Sequence, residues 1–144
     1  MKRAILFAGI ILACHITITA QNNTAALLPM PQHVTTDAEG RTFRIKESTV
    51  INAEFENAEF ITTRLAAIIE ERTGIALSTG SRRRNVIEVA IDTTLQGREH
   101  YTIDVNRRGI YIKGATEGAL FLALQTIDQI LLGDVCNTAK GEVE

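Results

Sequence analysis

Apolar positions recur along this chain with two periods, and the switch between them marks its elements. From residue 87 to 113 the period is two. Ile87, Val89 and Ile91 alternate with Glu88, Ala90 and Asp92; Tyr101, Ile103 and Val105 with Thr102 and Asp104; Ile110 and Ile112 with Tyr111 and Lys113. Such alternation collects the apolar side chains on one face of a strand. Asn106-Arg107-Arg108-Gly109 lies between the last two strands as a hairpin turn, with Gly109 available for a positive φ. Arg41–Lys46 alternates as well, with Phe43 and Ile45 opposite Arg44 and Lys46, and Val50-Ile51 reads as a short neighbouring strand.

Two segments have helical spacing. In the first, Ile61, Leu65, Ile68 and Ile69 form a stripe, Asn57 is placed as the N-cap, Glu59 lies in the first turn and Gly74 ends the helix. The second starts at Thr116 as N-cap, with Glu117 in its first turn, and stops at Gly133. It is apolar nearly all round. One sheet face can cover Leu120, Leu124, Ile127 and Leu131, but at about 100° per residue Phe121 and Leu132 fall in the polar stripe of Gln125, Asp128 and Gln129. A second contact is therefore expected at Phe121 and Leu132.

These elements predict an α+β fold, a mostly antiparallel sheet with two helices packed on one face. Leu27–Val34, with Pro29 and Pro31, is an extended lead-in suited to a sheet edge, following a polar stretch at residues 21–26. Ile75–Leu77 is a short apolar stretch, and Ser78–Asn85 is a turn-rich loop holding Arg82-Arg83-Arg84. That run could serve as an anion or headgroup patch, but without interleaved aromatics a solvated loop is the simpler account.

The first residues follow another rule. Met1-Lys2-Arg3 is a positive start and Ala4–Ala13 an apolar run too short to span a bilayer, so residues 1–20 read as an export signal. Ile18-Thr19-Ala20 before Gln21 is the favoured cleavage site; Ile11-Leu12-Ala13-Cys14 resembles a bacterial lipobox, which would put a lipid anchor on Cys14. Either route takes the protein out of the cytoplasm, to the periplasm or the outer membrane of a bacterium. Removing residues 1–20 leaves 124 residues with 13 basic and 17 acidic side chains, enough for one domain at residues 27–133 and a polar tail at 134–144. The negative balance argues against nucleic-acid binding. With Cys14 removed, Cys136 has no intramolecular partner, so the core must supply the stability.

The sequence offers no catalytic, cofactor-binding or metal-ligating constellation. His33 and His100 stand in unrelated segments without ligands at a metal spacing, and Cys136 has no base in its neighbourhood. Phosphate loops, dinucleotide loops and nucleophile elbows are absent. Glu70-Glu71 lies on a helix flank, where adjacent side chains diverge, and the chain has no adjacent Asp-Glu pair.

Leu28-Pro29-Met30-Pro31-Gln32-His33-Val34, Phe43-Arg44-Ile45, Glu99–Val105, Gly109-Ile110-Tyr111-Ile112 and Ala115–Leu131 form an ordered series. The series resembles the N-terminal domain of bacterial β-N-acetylhexosaminidases of glycoside hydrolase family 20, over about residues 27–133. The resemblance implies a non-catalytic α+β domain ahead of a (β/α)8 barrel. In that barrel an Asp-Glu pair works with the substrate's own acetamido group, so catalysis is substrate-assisted. A barrel needs roughly 200 or more residues, so these 144 residues have no room for one. The expectation is an accessory domain, inactive alone, from a truncated or split gene or a fragment, whose partner is a barrel missing here or separately encoded. A standalone extracytoplasmic carbohydrate-binding or interaction module is the alternative, its sugar-binding form weakened by the absence of Trp and the scarcity of Tyr and Phe. The N-terminal domain of another glycosidase family, α-glucuronidase-like or O-GlcNAcase-like, is a third.

Overall fold

The structure is a computed structural model that describes residues 27–28, 31–35, 42–132, 136–137 and 142–143. The export signal, Cys14, the stretch 21–26 and Gly133 lie outside the described residues. In chain order the elements are β1 (Phe43–Arg44), β2 (Val50–Ala53), α1 (Ala58–Thr73), β3 (Ser78–Thr79), β4 (Val86–Ile91), β5 (Tyr101–Asn106), β6 (Gly109–Gly114), α2 (Glu117–Leu132), β7 (Cys136–Asn137) and β8 (Glu142–Val143).

The central sheet has the order β3-β2-β4-β6-β5. Its α+β class and two helices are as expected, but the sheet is mixed rather than mostly antiparallel. β2 runs parallel to β3 and β4, and β4 parallel to β6; the β5–β6 hairpin supplies the antiparallel pairing. The reason is a skipped position. After β4 the chain passes to the far edge to make β5, and the hairpin then returns β6 into the slot beside β4. Three alternating segments in succession look like a meander, and alternation carries no information about which neighbours pair.

Register explains the core. Ile51 pairs with Ile87, Ile87 with Ile110, Val89 with Ile112, and Ile112 with Ile103, so these side chains share one face. Both helices cover that face. Leu65 and Ile69 of α1, and Ile127 and Leu131 of α2, meet Ile45, Ile87, Ile110 and Ile112 in a continuous buried cluster. Each such side chain contributes roughly 1.5–3 kcal/mol when fully buried. No buried side-chain polar atom among the described residues lacks a hydrogen-bond partner. The opposite face carries Asn52, Glu88, Asp104, Tyr111 and Lys113, all half-buried or exposed.

Gly109 differs from expectation. It has no positive φ; instead a Cβ there would lie 2.1 Å from the Val86 carbonyl oxygen, so the residue permits close approach of β6 to β4. Gly114 does the same against α2, where a Cβ would come within 2.8 Å of the Leu120 amide nitrogen. The expected tail at 134–144 contains two short strands. β8 pairs antiparallel with β7 and with β1, giving a small second sheet.

Candidate functional site

Because β2 and β6 are parallel within one sheet, α1 and α2 both run back from the far end of the strands, side by side. Leu120 near the start of α2 packs at Gly114, the end of β6, while Leu131 near its finish packs with Ile87 and Ile110, at the strand starts. Three contacts tie the helices together in chain order. The Asn57 amide donates to Glu117 Oε1 at 3.4 Å. The rings of Phe60 and Phe121 stack with centroids 6.4 Å apart. Arg72 donates from Nε to Asp128 Oδ1 at 2.7 Å and from NH2 to Oδ2 at 3.3 Å. The Asp128 hydrogen bond is the main reason the Arg72 guanidinium is held above its ordinary pKa.

Capping differs between the helices. Thr116 caps α2 as expected, accepting from the Ala119 amide at 3.1 Å. Asn57 occupies the N-cap position of α1 in a left-handed conformation without a capping bond, leaving its amide free to reach Glu117. Gly74 closes α1 with φ 72° and donates to the Glu70 carbonyl.

The outer surface of this helix pair is mixed: Glu59, Arg64, Glu70, Glu71 and Gln125 are exposed on it, and three large apolar side chains stand among them. Leu120, Leu124, Ile127 and Leu131 are buried, as the helical pattern demanded, while Phe121 is 37% and Leu132 66% exposed. The structure adds Phe60, 65% exposed, which the sequence reading did not single out. Its signal was present: Phe60 lies one position before Ile61 and off the Ile61-Leu65-Ile68 stripe. Phe121 and Leu132 are eleven residues apart, close to three turns, so they lie on one line of α2 with Asp128 between them. Nearby, the Gln129 side chain clamps Leu28, accepting from its amide at 2.8 Å and donating to its carbonyl at 2.6 Å. Leu28 itself is 74% exposed.

Among the described residues the candidate groups stand apart. His33 is exposed on the lead-in segment and His100 is exposed at the turn before β5. Glu70 and Glu71 are exposed, with Glu71 3.5 Å from Arg72. Among the described residues no group of three metal-ligating side chains comes together. An opening between residues 98–99 and the first turn of α2 is lined by Glu99 and Glu117 and by Thr116, whose hydroxyl donates to the Arg98 carbonyl and accepts from the Ala119 amide. No described helix is long and apolar enough to cross a membrane.

Among the described residues the chain is an α+β layer over a closed core, with no grouping of three metal-ligating side chains. Comparison with known proteins names its family. Glycosyl hydrolase family 20, domain 2, matches residues 24–144, and the chain belongs to that family. Solved structures share the fold. The β-N-acetylhexosaminidase of Streptomyces coelicolor A3(2), a family 20 enzyme, is 25% identical with a TM-score of 0.56, over 70% of this chain and 20% of that one. The exo-β-N-acetylglucosaminidase of Vibrio harveyi, solved with N-acetylglucosamine, is 20% identical with a TM-score of 0.65, over 83% and 17%. A mutant β-hexosaminidase of Streptomyces plicatus, solved with its product, is 23% identical with a TM-score of 0.56, over 72% and 20%. No curated protein matches the chain. The chain spans about a fifth of the length of these solved relatives.

Proposed function

We propose that this domain supports a family 20 catalytic barrel by packing the outer face of its helix pair against it, and that the parent activity is removal of terminal N-acetylhexosamine residues. The observation that carries the reading is that Phe60 and Leu132, 65% and 66% exposed, and Phe121, 37% exposed, stand on the solvent side of a helix layer whose other side is buried. Exposed apolar side chains gathered on one face mark an interaction surface. The Arg72–Asp128 pair lies between the aromatic pair and Leu132, so a polar rung separates the two apolar ends and can fix register against the barrel. The domain contributes no group to the chemistry.

The same reading places the protein outside the cytoplasm, exported by residues 1–20, with lipidation at Cys14 as the second route. The test pairs this chain with the barrel encoded by the same or a neighbouring reading frame. A one-to-one complex that hydrolyses a nitrophenyl N-acetylglucosaminide, with no turnover by this chain alone, is the expected result. Turnover by the purified chain alone, or a complex indifferent to F60D and F121D, contradicts the reading.

A further inference from the structure

The loops at the starting ends of β2, β4 and β6 bring together basic residues that are far apart in sequence. Asn85 joins them. Its backbone amide donates to the Arg108 carbonyl at 2.6 Å and its carbonyl accepts from the Val50 amide at 3.3 Å. Its side-chain oxygen accepts from the Thr49 hydroxyl at 2.7 Å, and its side-chain nitrogen donates to Ser48 Oγ at 3.0 Å. Asn85 has φ 56°, a left-handed conformation that Asn tolerates better than most residues. Three loops are thus locked to one residue, and Lys46, Arg82, Arg83, Arg84, Arg107 and Arg108 are all exposed on them. Glu47 is the carboxylate within these loops, and Glu70 and Glu71 lie toward the same end in the helix layer. Among the described residues no ion pair joins any of the five arginines to a carboxylate; Arg82 donates to the Ser48 carbonyl.

We propose that this basic rim binds anionic phospholipid headgroups at a bilayer surface. A run of three arginines in a solvated loop would not carry that inference. Five arginines and a lysine presented from three ordered loops at one end of the sheet do, because clustered fixed charge raises the local potential over what scattered charges give. Phosphodiesters suit guanidinium groups, which bind them as paired donors. On the lipobox route, chain geometry favours a bilayer as the partner. Leu28 is clamped by Gln129 in the last turn of α2, and that end of α2 packs at the strand starts, so the N-terminal segment enters the domain at the same end as the rim. From Cys14 to Leu27 the chain is thirteen residues, a reach of at most about 45 Å. A lipid on Cys14 would hold this end toward the membrane, where a basic patch adds attraction to anionic headgroups. Access to a bilayer rests on the export reading; headgroup affinity does not.

The core is closed within the described residues, so the form beginning at Gln21, free of the apolar leader, is the probe. It is sedimented with phosphatidylcholine vesicles with and without phosphatidylglycerol. Binding to the anionic vesicles alone is expected, abolished at about 1 M salt, where the screening length falls to about 3 Å. The R83E/R84E/R107E variant is expected to bind more than about tenfold more weakly, since each basic side chain near an anionic surface contributes several-fold. R64E, an exposed charge reversal on α1, retains binding, and circular dichroism confirms that both variants fold. Equal binding to neutral vesicles, no binding to anionic ones, or full binding by the triple variant overturns the proposal. Cell fractionation is read separately: a cytoplasmic location removes the export reading while leaving the vesicle result as measured.

Discussion

The rings of Phe60 and Phe121 stack across the two helices with an interplanar angle of 21°, yet both remain substantially in water. Aromatic pairs add only about 0.5–1.5 kcal/mol beyond the area they bury, and exposure leaves much of that area unburied. Phe60 therefore leaves apolar surface for whatever covers it, while Phe121, 37% exposed, keeps most of its area within the fold. Truncating the more exposed ring alone, F60A, is expected to change unfolding free energy by less than about 1.5 kcal/mol, measured by urea titration. It should also lower binding of an apolar dye to the folded domain. A loss of stability well above that range would make Phe60 part of the core.

Arg72 and Asp128 form a two-bond ion pair between helices, with side chains 25% and 35% exposed. A double-mutant cycle with R72A and D128A should give a coupling of about 0.5–1 kcal/mol that shrinks as salt rises. R72K should recover part of the charge but lose the paired geometry.

Gly109 and Gly114 are sites of close approach. G109A would set a methyl group against the Val86 carbonyl and must displace β6 from β4. A cost of about 2–3 kcal/mol is expected, or failure to fold. G114A meets Leu120 on both its amide and its side chain and should also destabilise. By contrast, G118A has only ordinary contact with the Thr116 hydroxyl and should be tolerated or stabilising.

Asp92 titrates below the usual carboxylate range because the Thr94 hydroxyl and amide donate to it, with Lys113 adding charge at 3.5 Å. A lowered folded-state pKa means that this group's stabilisation is complete above the unfolded value. It is lost as pH falls through the folded value, below about pH 4. D92N should therefore flatten the acid limb of the stability profile and leave its shape above pH 5 unchanged. A parallel loss at every pH would assign Asp92 a packing role instead.

The helices were legible because their pattern is local. Buried positions repeat every three or four residues, and Thr116 and Gly74 sit where capping chemistry puts them. Strand existence was legible for the same reason, with period two exposing β4, β5 and β6. Strand order was not, since it depends on a chain passing over a neighbour. The near-continuous apolar run of β4, Val86-Ile87-Glu88-Val89-Ala90-Ile91, was the available hint of a central parallel strand. A two-residue strand such as β3 is too short to show an alternating pattern. Exposure at Phe121 and Leu132 could be read from helix geometry, whereas Phe60 gains its meaning from the partner ring that tertiary packing places beside it. The basic rim was half visible: Arg82-Arg83-Arg84 and Arg107-Arg108 stand out in sequence, but the Asn85 clasp that unites them does not.

The central claim is that the helix-pair face docks a catalytic barrel, and calorimetric titration of this chain into a family 20 catalytic barrel tests it most directly. One-to-one binding that F60D/F121D/L132D abolishes, while the variant keeps its fold, is the predicted outcome. Unchanged affinity for that variant would contradict the account.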